Sequence, residues 1–357
     1  MKAEKLVMVP FDKNGIPIVK LINSMKEYAI KRIVAPKTVL LSGADIGGVQ
    51  NRLDFGFAIK NSFKDSLSDC DSVLILNHED RLKRYVYNCM EDAIKINKRI
   101  ILLFEPDEEL VKLISAHNPN IVYHRELKHF EIHDNTIQTL KMETPVVFIG
   151  GEFSLNSTNE IAVDLTVAFR ENGYKTSTVC TDKNLLFDDN FFTVPDILYN
   201  NTVGEVEKIE KIKDWMLKLE KAKKPDIIII TVPEAMMIVD DSFHAGYCVY
   251  PFLISSAIKP DYFILDASYG KNKDYYSKVS NHFLHRYGYS VDYVVKTNLF
   301  IDYRLSKDAR RLHYSYISAK KITEEVKQDV HEEVKTKSIL YNDYASFIVE
   351  DVILKLS

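Results

Sequence analysis

Short, continuously apolar runs separated by helical patterns constrain this chain more than any other feature. In the first part they are LVMVP (6–10), RIVAP (32–36), TVLLS (38–42), SVLILN (72–77) and RIILLF (99–104). In the second they are VVFIG (146–150), KTSTVC (175–180), DIIIIT (226–231), YFILD (262–266) and YVVKT (293–297). A strand that is apolar at nearly every position buries both faces, and a parallel sheet with helices on either side is the arrangement that allows it. Between the runs, residues 81–97 place Tyr85, Cys89, Ala93 and Ile94 on one helical face, and 107–117 read similarly. Further helices are expected over 158–172, 204–222, 249–258 and 342–356.

The expected fold class is therefore α/β. A Rossmann-like domain over 1–143 precedes a degenerate P-loop-like α/β domain over 144–357. A chain of 357 residues is long enough for two cores. The boundary is placed at 140–145, after the polar stretch 123–144. That stretch holds His124, His129 and His133, whose spacing across an expected short strand suits a solvated linker better than a metal set. The segment LSGADIGG (41–48) does not have the GxGxxG spacing and reads as a turn; Asp45, Gly47 and Gly48 are its candidate contacts if it meets a ligand.

Composition excludes some partners. With 47 basic and 51 acidic residues the net charge is -4, so no global field favours nucleic acid or an anionic bilayer. No apolar run approaches the ~18 residues of a membrane span, and the N-terminal one is too short for a signal sequence. Cys70, Cys89, Cys180 and Cys248 lack metal-ligand spacing and read as buried, reduced thiols. A cytoplasmic location is expected. Aromatics late in the chain fit core packing and a homo-oligomer interface.

The stretch most suggestive of chemistry is 145–182: apolar strand, glycine turn, hydroxyl pair, amphipathic helix. Against GxxxxGK[ST], residues 150–157 read G-G-E-F-S-L-N-S, so Gly150 and Ser157 match while Leu155 and Asn156 replace the second glycine and the lysine. Backbone N–H groups around Gly150 and Gly151, with Asn156, Ser157 and Thr158, are the candidate phosphate contacts. Without the lysine ammonium, hydrolysis of ATP is not expected. The competing reading is a helix cap at Ser157 and Thr158 with Glu160 completing a capping box. The run YFILD ends in Asp266, the pattern of a Mg²⁺-binding carboxylate, with Glu234 competing for that role. The loop holding Asp240, Asp241, Ser242 and His244 should sit at a strand's carboxyl end, and His244 is the candidate general base. His282 and His285 share a helical spacing but lack a third ligand.

These residues carry two resemblances. The layout, with VVFIGGEFSLNSTNE, ENGYKTSTV and the later SFHA…PFLIS…PDYFIL, resembles the D-glutamate N-acetyltransferase family. The opening VPFDKNGIPI, with FKDSLSDCDSVLIL and PFLISSAIKPDYFIL, is similar to the peptide maturation system proteins that accompany radical SAM enzymes in clusters for modified ribosomal peptides. The second resemblance implies an accessory role with a precursor peptide and a radical SAM enzyme as partners. The degenerate loop implies a nucleotide or CoA ester with Mg²⁺ as the bound cofactor. The alternative is a non-catalytic peptide- or enzyme-binding protein whose loop is structural only.

Overall fold

A computed structural model describes residues 2–12, 14–39, 41, 43–52, 55–117, 121–123, 141–153, 157–238, 246–271, 273–325 and 334–356. The chain divides into two compact units. Unit 1 comprises Met1–His129 with Asp182–Asp189, and unit 2 comprises Phe130–Thr181 with Asn190–Ser357.

In unit 1 the elements follow as β1 (Glu4–Val9), α1 (Ile16–Ser24), β2 (Tyr28–Val34), β3 (Ile59–Lys60), α2 (Phe63–Ser66), β4 (Ser72–Ile75), α3 (Lys83–Lys95), β5 (Arg99–Leu102), α4 (Glu108–His117) and β6 (Ile121–Tyr123). Among the described residues they form one parallel sheet in the order β3-β2-β1-β4-β5-β6. That is the order of a doubly wound nucleotide-binding sheet, which reverses direction between β1 and β4. The Rossmann-like expectation holds, and the continuously apolar strands explain it: Val7, Val9, Val73, Ile75, Ile100 and Leu102 pack under α3 with Val86, Met90 and Ala93. TVLLS departs from expectation, since Lys37–Val39 form a 3-10 turn, and the edge strand after β2 is supplied by Ile59–Lys60. Pro36 lacks the N–H that a strand continuing from β2 would need. Asp45 is held by its own loop, its carboxylate accepting from the N–H groups of Gly47, Phe55 and Phe57.

The segment Asp182–Asp189 belongs to this unit although its chain neighbours belong to the other sheet. Its 3-10 turn packs along α1. Asn184 Oδ1 accepts from Asn77 N at 2.7 Å, and Phe187 meets the Tyr28 ring edge-on at 4.8 Å. Burial, aided by the nearby Asp12, raises the Asp182 carboxyl to about 6. A carboxyl raised on folding binds its proton more tightly in the native state, so its contribution is complete below the ordinary carboxylate pKa and fades as pH rises through about 6. Stability measured by urea unfolding should therefore decline between about pH 4 and 6, and Asp182→Asn should flatten that decline. An unchanged slope in the variant would remove Asp182 as the cause.

Unit 2 contains β7 (Val146–Gly151), α5 (Ser157–Glu171), β8 (Thr176–Cys180), β9 (Phe191–Thr193), α6 (Glu205–Lys223), β10 (Ile227–Ala235), α7 (Val249–Ala257) and β11 (Tyr262–Ala267). It continues with α8 (Lys273–Tyr287), β12 (Tyr293–Lys296), β13 (Leu299–Ile301), α9 (Tyr303–Ala309), β14 (Tyr314–Tyr316), α10 (Ala319–Glu325), β15 (Lys335–Ser338) and α11 (Tyr344–Leu356). The main sheet among the described residues is parallel, in the order β15-β12-β11-β7-β10-β8-β9, and β13 pairs with β14 separately. Strand alternation sorts the core: Val147, Ile149, Ile229 and Ile264 face α5 and α11, while Phe148, Ile230, Phe263 and Leu265 face α6, α7 and α8. The helix α6 begins with Glu205 and Glu207 and ends with Lys221 and Lys223, which complements its macrodipole.

The four cysteines are buried and free. No helix among the described residues is long and apolar enough to cross a membrane.

Candidate ligand site at the carboxyl edge of the second sheet

In an open parallel sheet the helix N-termini and the loops that carry ligands gather at the carboxyl ends of the strands. In unit 2 the central strand there is β7, flanked by β10 and β11. Gly150 and Gly151 are its last residues, and α5 opens at Ser157. Asn156 and His244, like Asp240, Asp241 and Ser242, lie outside the described residues, as do His124, His129 and His133. His282 and His285 lie on α8, and among the described residues no group of three His, Cys, Asp or Glu side chains is placed to hold a metal ion.

Packing explains both glycines. A Cβ on Gly150 would fall 1.9 Å from Met236 Sδ, and one on Gly151 would fall 2.5 Å from the carbonyl oxygen of Phe153. The chain after β7 therefore folds back closely on itself. Phe153, only 2% exposed, anchors that turn among Leu299 and Ile301. Thr158 is buried with its methyl 3.5 Å from the Gly151 Cβ position, and Ser157 is half-buried. Asn159 ties the first turn of α5 to the neighbouring strands: its amide nitrogen donates to Thr181 Oγ1 at 2.9 Å, and its Oδ1 accepts from Thr181 N at 3.2 Å.

Asp266 is fully buried on β11, in register with Gly151. Alternation along β11 puts it with Tyr262 and Ile264, on the face covered by α5, so the carboxylate and Thr158 share one side of the sheet. Glu234 is differently placed. It is exposed, holds a left-handed φ of 62°, and sits where the β10 register with β7 shifts between Thr231 and Ala235. Burial of its surroundings raises its carboxyl pKa.

The feature that sequence reasoning missed is Glu152, the residue after the glycine pair. It is fully buried. Its Oε2 accepts from Ser268 N at 3.0 Å and Ser268 Oγ at 2.7 Å, and its Oε1 accepts from the Tyr275 hydroxyl. Lys271 Nζ stands 3.9 Å from Oε1, donates to the Tyr303 hydroxyl, and lies over the rings of Tyr275 and Tyr303 at 4.6 and 4.1 Å. Burial is the dominant influence on both charged groups: it pushes the Glu152 carboxyl up and the Lys271 ammonium down, each partly opposed by the other's charge. Burial thus works against the charged form of each partner, and the hydroxyls of Ser268, Tyr275 and Tyr303 hold the pair at the edge of the sheet. The clue in the sequence was an acid placed between a glycine pair and a phenylalanine, G-G-E-F, facing the S-Y-G-K that follows β11.

No family model matches the chain, and no curated protein does. Among solved structures it is similar to a DUF1611 family protein from Anabaena variabilis, at 10% identity and a TM-score of 0.52, over 82% of this chain and 87% of that one. This likeness concerns the fold alone. A pseudomurein peptide ligase type C from Methanothermus fervidus aligns at 9% identity and a TM-score of 0.24, over 84% of this chain and 50% of that one. Chloroplast FtsY from Physcomitrella patens aligns at 10% identity and a TM-score of 0.29, over 95% of each.

Proposed function

We propose that unit 2 binds a phosphate-bearing small molecule, a nucleotide or acyl-CoA ester together with Mg²⁺, at the N-terminus of α5, and that the protein serves a peptide maturation system. The observation that carries the reading is the shared face of Asp266, Gly151 and Thr158 at the carboxyl end of the central strand. Free N–H groups and the dipole at a helix N-terminus favour an anion. Asp266 would hold Mg²⁺ directly or through water, and Ser157 and Thr158 would add hydroxyls. The metal would offset the acidic character that Asp266 and Glu152 give the edge. The peptide context rests on the resemblance of VPFDKNGIPI and PFLISSAIKPDYFIL to maturation-system proteins, with a precursor peptide and a radical SAM enzyme as the expected partners.

Thermal shifts with ATP, GTP and CoA esters in Mg²⁺ should give at least one stabilising ligand, by about 2.7 kcal/mol at a hundredfold excess over Kd. Asp266→Asn should weaken that ligand only when Mg²⁺ is present. A flat panel would sink the reading. A second reading then applies, supported by the packing of Phe153 among Leu299 and Ile301: the loop acts as a structural cap, and the protein binds peptide or enzyme without chemistry. Co-purification of a maturation enzyme with a ligand-blind protein would favour it.

A further inference from the structure

Unit 1 has the strand order of a doubly wound sheet, and such sheets take ligands where the order reverses, here between β1 and β4. That position is occupied by the chain itself. Asp182 lies near Asp12 in the loop after β1, and Asn184 is bonded to Asn77 in the loop after β4. A cavity of about 330 Å³ lies one strand further along, at the carboxyl ends of β4 and β5 and wholly within unit 1. A volume of this size suits a small metabolite.

Its walls have an unequal charge pattern. Lys83 is satisfied by an ion pair with Asp107, which also accepts from the Tyr87 hydroxyl and from Leu110 N at the start of α4. Among the described residues, Asp80, Glu105 and Lys183 line the cavity without an ion-pair partner. Lys83 and Asp107 cancel, and the two carboxylates against one ammonium leave one negative charge. His78 adds another acceptor. Its Nδ1 must donate to the Leu76 carbonyl at 3.1 Å, because a carbonyl oxygen cannot donate, and this leaves Nε2 with a lone pair. Burial lowers the His78 pKa, so the ring is neutral near pH 7. The floor is apolar, with Leu103, Leu110 and Phe104, whose ring meets His78 edge-on at 4.7 Å.

We propose that this cavity binds a free basic amino acid of lysine type. The carboxylates of Asp80 and Glu105 would take its ammonium groups, Lys183 its carboxylate, and the apolar floor its methylenes. A ligand of net charge +1 carrying one anionic group complements a lining of net charge −1 that offers one cation. This site is independent of the one assigned to unit 2.

Calorimetric titration of the full chain with L-lysine tests it, with cadaverine, norleucine and Nα-acetyl-lysine amide as comparison probes. L-lysine should bind saturably. Norleucine, which lacks the side-chain amine, and cadaverine, which lacks the carboxylate, should each bind at least about tenfold more weakly, a difference of ~1.4 kcal/mol. The acetylated amide should bind as weakly, which separates the free amino acid from a lysine carried in a peptide. Asp80 and Glu105 are exposed, so the double variant Asp80→Asn with Glu105→Gln should fold normally and lose at least about tenfold in lysine affinity. Lys183→Met should weaken lysine but not cadaverine, a dication that the lost ammonium no longer repels. Absence of saturable heat with lysine, or equal affinity in the folded variants, overturns the proposal.

Discussion

Replacing Glu152 with alanine is expected to destabilise unit 2 by about 3 kcal/mol. The side chain is fully buried and answers four groups at once: the amide and hydroxyl of Ser268, the hydroxyl of Tyr275 and the ammonium of Lys271. Truncation leaves buried donors without an acceptor, and desolvation makes unmet donors costly. Glu152→Gln retains an acceptor of the same shape and should cost far less. Because Lys271 is the charged neighbour, Lys271→Met combined with Glu152→Gln should recover part of the loss, and the coupling is readable from a double-mutant cycle in urea. Additive losses would show that the pair does not act as a unit.

The same carboxyl has a pH signature. Burial raises its pKa on folding, so the native state holds this proton more tightly than the unfolded chain. Its contribution is complete below the ordinary carboxylate range and fades as pH rises through the elevated value. Lys271 has the opposite sign. Its depressed pKa makes its contribution complete above the ordinary lysine value, and that contribution is lost as pH falls through the lowered one. In Glu152→Gln the first of these slopes should vanish.

Gly151→Ala should cost about 2–3 kcal/mol, lowering the melting temperature by roughly 5–10 °C in a unit of this size. The added methyl meets the Phe153 carbonyl at 2.5 Å, and backbone cannot move aside as a side chain can. Gly150→Ala provides an internal comparison. It meets the end of Met236, a flexible side chain, and should cost less even though the contact is shorter, 1.9 Å. If Gly150→Ala proved the more damaging, the close turn would not be what fixes the glycine pair. Circular dichroism melts of the two variants decide between these outcomes.

Much of the fold was legible because it depends on local patterns. Runs apolar on both faces demand covered parallel strands, and DIIIIT, YFILD and VVFIG became the three central strands of the second sheet. Helices expected at 158–172, 204–222 and 249–258 appear as Ser157–Glu171, Glu205–Lys223 and Val249–Ala257. Helix α8 was harder to read. Its segment KDYYSKVSNHFLHRY mixes tyrosines and charges, which weakens the apolar stripe, although Tyr276, Val279 and Phe283 pack against the core.

The candidate site was legible only in part. A glycine pair between an apolar strand and a hydroxyl-initiated helix announced a turn at the carboxyl edge, and YFILD announced a carboxylate beside it. Strand register then put Asp266 opposite Gly151, while the bulge in β10 left Glu234 exposed. The cluster around Glu152 could not be read from sequence, because Ser268, Lys271 and Tyr275 lie more than a hundred residues away and meet it only once β11 pairs with β7. Nor could any periodicity show that Asp182–Asp189 joins unit 1. Sequence by itself determined which segments become strands and helices and that both sheets are parallel, since one-dimensional hydrophobic patterning encodes burial on one face or two. Tertiary structure alone decided which polar groups are buried together, and hence which carboxyl and amine shift their proton affinities, because desolvation and partner distance arise only when distant strands pack.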